Sequence, residues 1–168
     1  MELMESYFKY DSPIGELYII FNGEILSYLS LLKPDIKEYS KVPTKAFEKL
    51  KMCLDRYFKG EIVTFDIPYK ISGSIFKKRV LEEVSRVPYG QVRSYRDIAK
   101  ILEEKYHQKV SYQAIGQALK HNDLLIVIPC HRIIRSSGQI GGFMGEKTSD
   151  IKVYLLDLER EALCKKTS

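Results

Sequence analysis

The sequence predicts an α+β protein in two parts, an N-terminal antiparallel sheet with a helix and a mostly helical C-terminal part with a helix-turn-helix. The first part is indicated by two apolar segments that flank Asn22-Gly23, which is a strong signal for a β-hairpin. The second is indicated by apolar residues at three- and four-residue spacing beyond residue 74. Gly and Ser cluster in residues 71–74, between the two patterns, so we predict domains at 1–70 and 71–168.

The composition is that of a globular protein with a core. The chain has 168 residues, of which 45% are hydrophobic and 29% are charged, and this excludes the disordered and collagen-like classes. No run approaches the roughly 18 apolar residues needed to cross a bilayer, and the acidic start of the chain lacks the features of a secretion signal. We therefore expect a protein without membrane contacts, located in the cytoplasm, or in the nucleus of a eukaryote.

Charge differs between the two parts. Residues 1–69 carry 9 Lys and Arg against 11 Asp and Glu, whereas residues 70–168 carry 18 against 11, so the net charges are −2 and +7. A basic C-terminal part indicates contact with a polyanion, for which the phosphate backbone of nucleic acid is the usual candidate. A solvated basic surface without a partner accounts for the charge equally well.

The N-terminal elements follow from apolar spacing. Residues 17–20 and 25–31 form the strands of the predicted hairpin. After Pro43-Thr44, apolar residues at helical spacing predict an amphipathic helix that ends at Gly60. We predict a further strand over residues 62–67.

The C-terminal part begins with a helix that ends before the turn 87–90. Ser94 and Ser111 are each suited to cap the N-terminus of a further amphipathic helix. Two capped helices joined by a connection indicate a helix-turn-helix, although the connection 103–110 is longer than the tight turn of the simplest motif. An ordinary packed pair of helices is equally compatible with the pattern.

A continuous apolar run over residues 124–128 predicts a buried strand or extended segment. It leads directly into Pro129-Cys130-His131-Arg132. Four glycines follow within residues 138–145, which indicates a loop that bends tightly or admits a ligand. A final amphipathic helix, with Ile151 and Leu158 among its apolar positions, then packs on the core.

Cys130 is the candidate nucleophile. A free thiol, with a pKa of about 8.5, is only a few per cent thiolate at neutral pH and needs a neighbour that removes its proton. His131 is adjacent, but the two side chains share a site only if the backbone bends, and a helical turn beginning after Pro129 would also favour the thiolate. For a Cys-His pair considered alone, the alternative is an inert buried cysteine. Cys53 and Cys164 lie at unrelated spacings, so we expect no disulfide framework and no structural zinc.

The segment 128–133, Ile-Pro-Cys-His-Arg-Ile, resembles the active-site motif of the O6-alkylguanine-DNA alkyltransferases. The resemblance extends to Asn122, eight residues before the cysteine, and covers nearly the whole chain in the order found in the family. The other segments that are similar to the family pattern are residues 11–17, 57–60, 65–68, 76–80, 87–90, 94–99, 136–145 and 152–159.

The resemblance implies a repair protein that flips an O6-alkylated guanine out of duplex DNA and transfers the alkyl group irreversibly to its own cysteine, in a single turnover. It also implies a ribonuclease H-like N-terminal domain and a winged-helix-like C-terminal domain. Cys130 would be the acceptor, with His131 as the base through a water and Glu159 orienting the histidine. The Tyr95 hydroxyl would assist the departure of guanine, and Asn122 would shape the turn beneath the site. The residues expected to bind the substrate are Tyr95, Phe143, Met144 and Gly145.

The resemblance places the second capped helix in the minor groove of double-stranded DNA that contains O6-alkylguanine. Basic side chains there are available for phosphates, and a small side chain permits close approach. The predicted DNA contacts are Ser111, Tyr112, Gln113, Ala114, Lys120, Arg96, Arg135 and Ser136. We expect a monomer that needs no metal and no other cofactor, in which Arg132 forms an ion pair outside the catalytic set.

Two positions depart from the family pattern. Gln113 occupies the position where the family usually inserts an arginine into the base stack, and Met144 stands where a serine often donates to the modified oxygen. The acceptor Cys130 is present, whereas alkyltransferase-like proteins that bind lesions without repair replace it. Two other functions remain open: a helix-turn-helix module that senses lesions or regulates without transfer, and a Cys-His hydrolase, for which we locate no oxyanion site.

Overall fold

The computed structural model describes residues 4–140 and 149–167. The chain divides into two compact units, Met1–Ser72 and Gly73–Ser168. The first contains an antiparallel sheet and a helix, and the second is mostly helical, which confirms the predicted α+β class. The assignment of separate functions to the two parts stays a prediction.

The N-terminal unit is built on a three-stranded antiparallel sheet. Its strands, in spatial order, are β1 (Glu5–Ser12), β2 (Gly15–Asn22) and β3 (Ile25–Ser30). The predicted hairpin at Asn22-Gly23 joins β2 to β3, and Asn22 pairs with Ile25. Gly23 has a φ of 62°, a left-handed conformation that glycine adopts without steric cost. The turn residue therefore explains where the chain reverses.

Helix α1 (Lys45–Phe58) packs on this sheet, as the apolar spacing predicts. Thr44 caps it, since its hydroxyl accepts a hydrogen bond from the Phe47 N–H at 3.0 Å. The Phe47 ring stacks on the ring of Phe8, with 3.8 Å between the ring centres. The fully buried side chains of the helix are Leu50, Leu54 and Tyr57.

The predicted strand over residues 62–67 is wrong. In the described chain these residues belong to no strand, and the backbone joins the sheet only afterwards, through an isolated bridge between Leu26 and Tyr69. Val63 and Ile67 are buried. The apolar pattern therefore reflects side-chain packing on the core and not a ladder of backbone hydrogen bonds.

In the C-terminal unit, helices dominate and one short parallel pair of strands joins distant segments. The elements are α2 (Ile75–Val84), β4 (Arg93–Ser94), α3 (Tyr95–Tyr106), α4 (Tyr112–Lys120), a 3-10 turn (Cys130–Arg132), β5 (Ile133–Ile134) and α5 (Ser149–Thr167). Helices α2, α3 and α4 pack against one another, and α3 and α4 lie where the sequence predicts the two helices of a helix-turn-helix. Among the described residues, no helix is both long and apolar enough to span a membrane.

Both predicted N-caps are confirmed. The Ser94 hydroxyl accepts from the Asp97 N–H at 3.0 Å, and the Asp97 carboxylate accepts from the Ser94 N–H at 2.9 Å, which is a reciprocal capping box. The Ser111 hydroxyl accepts from the Ala114 N–H at 3.1 Å. The connection between α3 and α4 consists of residues 107–111 and is shorter than the sequence predicts, because α3 continues further.

Residues 124–128 form a tight buried turn, so the prediction of a strand or extended segment is wrong. The Ile128 N–H donates to the Leu124 carbonyl at 2.9 Å, which closes the turn. Ile126 has a φ of 70°, a strained conformation for a β-branched residue. The apolar run therefore marks a turn whose side chains, apart from the half-buried Val127, are buried, and the surrounding core holds the strained backbone.

Candidate active site

The 3-10 turn Cys130–Arg132 carries the candidate nucleophile. The turn begins directly after Pro129, which is the arrangement that the sequence analysis considered as favouring the thiolate. The Cys130 N–H donates to the Ile128 carbonyl at 2.8 Å. This bend brings Cys130 and His131 into the interior together, where they are 3% and 0% exposed. A regular strand would have placed the two side chains on opposite faces.

Asn122 braces the segment that leads to the cysteine. Its Nδ2 donates to the Ile128 carbonyl at 3.0 Å, and its Oδ1 accepts from the Leu124 N–H at 2.9 Å. Both bonds are buried, and together they hold the two ends of the turn 124–128. The Asn122 amide also lowers the pKa of the Cys130 thiol. One amide therefore braces the turn and favours the thiolate.

The Cys130 thiol is held in its protonated form. Burial raises its pKa to about 11, while the hydrogen bond from Asn122, the charge of Lys152 and nearby backbone N–H groups act in the opposite direction. Because burial has the larger effect, the thiolate needed for nucleophilic attack depends on a base beside the sulfur.

The two ring nitrogens of His131 differ in their contacts. Its Nε2 lies 2.5 Å from Glu159 Oε2, and since an ionised carboxylate can only accept, we assign the proton to Nε2. Its Nδ1 is buried and has no hydrogen-bond partner within the described part of the chain. Burial lowers the pKa of His131, against the opposing effect of Glu159. The neutral ring is therefore a base whose lone pair is available.

Glu159 is held by several donors. Arg132 Nε lies 2.8 Å from its Oε1, Arg132 Nη2 lies 3.1 Å from its Oε2, and the Gly90 N–H donates to Oε1 at 3.1 Å. Burial opposes the ionisation of Glu159, but the hydrogen bonds from His131 and Arg132 hold its pKa well below the usual range. Arg132 also donates to the Val87 carbonyl at 2.8 Å. It therefore forms the ion pair that the sequence analysis expects.

Strand pairing brings Tyr95 to the site. Strands β4 and β5 pair in parallel, with Ser94 opposite Ile134, so the first residue of α3 lies next to the segment that follows the 3-10 turn. Burial raises the pKa of Tyr95, Arg135 opposes this shift, and Cys130 adds to it. The Tyr95 hydroxyl is therefore protonated at neutral pH.

Lys152 is a further residue of the candidate active site, and the sequence analysis did not single it out. Its side chain is 1% exposed, and its Nζ donates to the Ile133 carbonyl. The same Nζ lies 6.0 Å from the centre of the Tyr95 ring. Burial lowers the pKa of Lys152 to about 8, against the effect of Cys130. The sequence did contain a signal for Lys152, because it lies seven positions before Glu159 and the two residues therefore share one face of a helix.

Comparison with known proteins assigns the family. The family model for the DNA binding domain of 6-O-methylguanine DNA methyltransferase matches residues 75–161, and the model for its ribonuclease-like domain matches residues 6–71. The chain is 35% identical over 164 residues to the constitutive methylated-DNA–protein-cysteine methyltransferase of Bacillus subtilis, and the match covers 94% of this chain and 96% of that protein. The chain belongs to the 6-O-methylguanine DNA methyltransferase family.

Other members of the family agree in sequence and fold. The methylated-DNA–protein-cysteine methyltransferase of Archaeoglobus fulgidus is 52% identical over 90 residues, 54% of this chain and 56% of that protein. The structure of the Mycobacterium tuberculosis O6-methylguanine methyltransferase matches with a TM-score of 0.79 at 32% identity, over 95% of this chain and 94% of that one. The OGT of the same organism in complex with DNA matches with a TM-score of 0.78 at 32% identity, over 94% of each chain. The resemblance seen in the active-site motif is therefore confirmed.

The predicted DNA contacts of this family member lie mostly on exposed surface. The exposed ones are Ser111, Tyr112, Gln113, Lys120, Arg96, Arg135 and Ser136, and Ala114 is half-buried. Beside them on α4, a Cβ built on Gly116 would meet no atom within 4 Å, so the outer face of the helix is open there. Contact of these residues with DNA stays a prediction.

Three predicted substrate residues, Phe143, Met144 and Gly145, lie outside the described residues. Of the residues that the structure describes, no three or more His, Cys, Asp or Glu side chains are grouped so as to hold a metal ion. Of the remaining cysteines, Cys53 is half-buried and Cys164 is exposed. Cys130 is thus the one cysteine that is buried beside a base.

Proposed function

We propose that this protein repairs DNA by flipping O6-alkylguanine out of a duplex and transferring the alkyl group to Cys130, once per molecule. The observation that carries the proposal is the buried Nδ1 of His131, which has no partner among the described residues and lies on the residue next to the buried thiol. Family membership supports it, since the curated relatives are named for transfer of methyl groups from DNA to a protein cysteine.

The first step is removal of the proton from Cys130. His131 Nδ1 accepts this proton through a water, and Glu159, bound to Nε2 at 2.5 Å, stabilises the imidazolium that forms. The amide of Asn122 and the charge of Lys152 favour the thiolate over the thiol. Arg132 keeps Glu159 ionised throughout.

The thiolate then attacks the alkyl carbon bound to O6 of guanine. A sulfur–carbon bond forms while the carbon–oxygen bond breaks, and the electron pair of that bond leaves with the guanine. The Tyr95 hydroxyl, kept protonated by burial, donates a proton to the departing base. The tyrosinate then recovers a proton from solvent, and the His131 imidazolium releases the proton that came from Cys130 to solvent. Atoms and charges balance without an oxidant or a reductant.

The reaction consumes the protein. Its product is a thioether at Cys130, and thiol exchange acts on disulfide sulfurs and not on thioethers. The expected stoichiometry is therefore one alkyl group per molecule, with no return to the thiol.

DNA binding is assigned to the C-terminal domain, residues 71–168, with α4 in the minor groove and a monomer as the acting species. The charge of +7 on that part of the chain and the exposed basic side chains Arg96, Lys120 and Arg135 support this assignment. Gln113 would fill the space left by the flipped base. The residues that would contact that base are Tyr95, Phe143, Met144 and Gly145. A cytoplasmic location, or a nuclear one in a eukaryote, follows from a DNA substrate.

Intact-mass measurement tests the proposal. Incubation with excess duplex containing O6-methylguanine should add one methyl group per molecule, and peptide mapping should place it on Cys130. Cys130→Ser should take up none and keep its DNA affinity, because the thiol contributes little to phosphate contacts. Replacing Cys53 and Cys164 together by Ser should leave one methyl group per molecule. Tight lesion binding by the unmodified sequence with no gain in mass would instead support a lesion-sensing module.

A further inference from the structure

A cleft in the N-terminal unit has the composition of a ligand site. It has a volume of about 370 Å³, within the range of roughly 300–1,000 Å³ typical of small-molecule sites. Its lining residues are Tyr7, Phe8, Lys9, Tyr39, Lys41 and Phe47. All six belong to the unit Met1–Ser72, whereas Cys130 belongs to the other unit, and alkyl transfer gives the cleft no role.

Backbone pairing at the edge of β1 brings these residues together. The Tyr7 N–H donates to the Ser40 carbonyl at 3.0 Å, and the Ser40 N–H donates to the Glu5 carbonyl at 2.8 Å. The two neighbours of Ser40, Tyr39 and Lys41, are thereby fixed beside the strand. The Tyr39 ring meets the Tyr7 ring edge-on, with 4.9 Å between the ring centres and 74° between the planes.

Aromatic rings form much of the remaining wall. The Phe8 and Phe47 rings are stacked, with 14° between their planes. Every nucleobase has a π face, so an aromatic wall of this kind binds bases with little regard to their identity.

The Tyr7 hydroxyl is the second observation that points to a ligand. Tyr7 is 7% exposed, and its hydroxyl oxygen is buried with no hydrogen-bond partner in the described chain. Buried hydroxyls nearly always have a partner. Burial raises the pKa of Tyr7, and Tyr18, Tyr39 and Glu16 raise it further, so the hydroxyl stays protonated. It can both donate and accept, which suits the polar edge of a nucleobase.

Two lysines supply positive charge at the same cleft. Lys9 and Lys41 are exposed and, of the residues that the structure describes, none forms a salt bridge with either, whereas Lys49 of the same unit is paired with Asp66. Lys41 Nζ lies 5.9 Å from the centre of the Tyr39 ring. Unpaired ammonium groups next to aromatic faces are the combination that binds the phosphate and base of a single nucleotide.

We propose that this cleft binds a nucleotide, with the base against the aromatic rings and hydrogen bonded to Tyr7, and the phosphate on Lys9 and Lys41. A free nucleoside monophosphate and one residue of a single-stranded DNA segment present the same base and phosphate, so the experiment separates these two sources. The site is distinct from Cys130 and acts independently of alkyl transfer.

Photocrosslinking and binding to the full-length protein test the proposal with two lesion-free probes. One is 5-iodo-2′-deoxyuridine 5′-monophosphate, and the other is a short oligothymidylate that carries one 5-iodouracil. Ultraviolet light should crosslink the bound base to Tyr7, Tyr39 or Phe47, as mapped by mass spectrometry. Lys9→Gln combined with Lys41→Gln should weaken binding in the cleft by about tenfold or more.

Two further variants separate binding from folding. Tyr7→Phe should weaken binding without lowering the melting temperature, because it removes a buried hydroxyl that has no hydrogen-bond partner among the described residues. Lys51→Gln combined with Lys59→Gln makes the same charge change on exposed residues of this unit that do not line the cleft, and it should leave binding unchanged.

The outcomes are distinct. Crosslinking of the monophosphate to the cleft identifies a free nucleotide as the ligand, and crosslinking of the oligonucleotide alone identifies a DNA strand. Absence of cleft crosslinks with both probes, or equal losses in the cleft and control variants, overturns the proposal. Cys130→Ser should give the same crosslinks as the unmodified sequence. A failure of nucleotide binding in the cleft can therefore be distinguished from a failure of alkyl transfer.

Discussion

Arg132 and Glu159 form a two-point ion pair in the interior of the C-terminal unit, with Nε 2.8 Å from Oε1 and Nη2 3.1 Å from Oε2. The planar guanidinium matches the carboxylate in both contacts, which adds orientation to charge. The same carboxylate accepts from His131 Nε2. One arginine therefore fixes the group that determines which nitrogen of the histidine is free.

Arg132→Lys should destabilise the protein strongly. A lysine keeps the positive charge but cannot reproduce the two-point contact, and losing a hydrogen bond to a buried charged group costs about 1.5–3 kcal/mol. Urea unfolding at neutral pH measures the change. Arg160→Lys, in an exposed pair with Asp157 on α5, is the matched control and should have little effect. A similar loss in the free energy of unfolding in both variants would show that the buried ion pair contributes no more to stability than the exposed one.

Stability should fall as the solution becomes acidic. In the unfolded chain the pKa of His131 is about 6.5 and that of Glu159 is about 4.3. Both pKa values are lower in the folded protein. As the pH falls through the pKa of the unfolded chain, the unfolded state therefore binds more protons than the folded state does. The free energy of unfolding should decrease from pH 7 to pH 5 through His131, and decrease further below about pH 4 through Glu159. Urea unfolding as a function of pH is the measurement, and His131→Gln should flatten the upper part of the curve. A fall of the same size in that variant would assign the effect to other groups.

Lys152→Met should make the Cys130 thiol harder to ionise. The charge of Lys152 lowers the pKa of the thiol against the effect of burial, and methionine has similar length without that charge. The rate of thiol alkylation by iodoacetamide should therefore rise at a higher pH than in the unmodified sequence. Lys100→Met, exposed on α3, is the control and should leave the profile in place. An unshifted profile in Lys152→Met would mean that its charge does not reach the sulfur.

The methylated protein should melt at a lower temperature than the unmodified one. Cys130 is closely packed, and an added methyl group in a filled interior costs about 1–3 kcal/mol. The sulfur also loses its proton as a donor. Thermal unfolding after quantitative methylation and removal of DNA measures the effect, which should be larger for an ethyl group. A melting temperature that is equal or higher would contradict the expectation.

Gln113→Arg should speed repair in duplex DNA more than in single strands. Flipping a base from a duplex costs a few kcal/mol of stacking and pairing, and an inserted guanidinium offsets more of this cost than an amide does. The salt dependence of duplex binding should steepen by up to about one log unit per log unit, as for one added phosphate contact. Single-turnover rates on the two substrates decide the matter. An equal change on both, or none, would show that the exposed Gln113 is not the inserted residue.

The features that the sequence predicts are those with local causes. Ser94 and Ser111 cap helices through hydrogen bonds to an N–H group three residues further along the chain. The 3-10 turn likewise begins at a local signal, directly after Pro129. That residues 124–128 are mostly buried could also be predicted. Their backbone conformation could not, because an apolar run indicates that side chains are buried and does not determine the φ angles of the backbone. The same limit explains the false strand over residues 62–67.

The parts of the site that no local pattern predicts depend on contacts between distant segments. Lys152 approaches Tyr95 because residues 93–94 pair with residues 133–134, and no local pattern encodes that pairing. Glu159 was identified only through the family resemblance, since a carboxylate on a terminal helix is usually solvated. Its role depends on His131, 28 positions away in the chain.

Helix α5 carries Lys152 and Glu159 seven residues apart, which is about 10 Å along its axis and close to two full turns. Leu155 and Leu156, between them, are buried and fix the rotational phase of the helix. One residue inserted between positions 152 and 159 would rotate one of the two ionisable groups by about 100° and carry it out of the interior. An insertion ahead of residue 149 leaves that phase unchanged. Length variation should therefore be excluded within the second and third turns of α5.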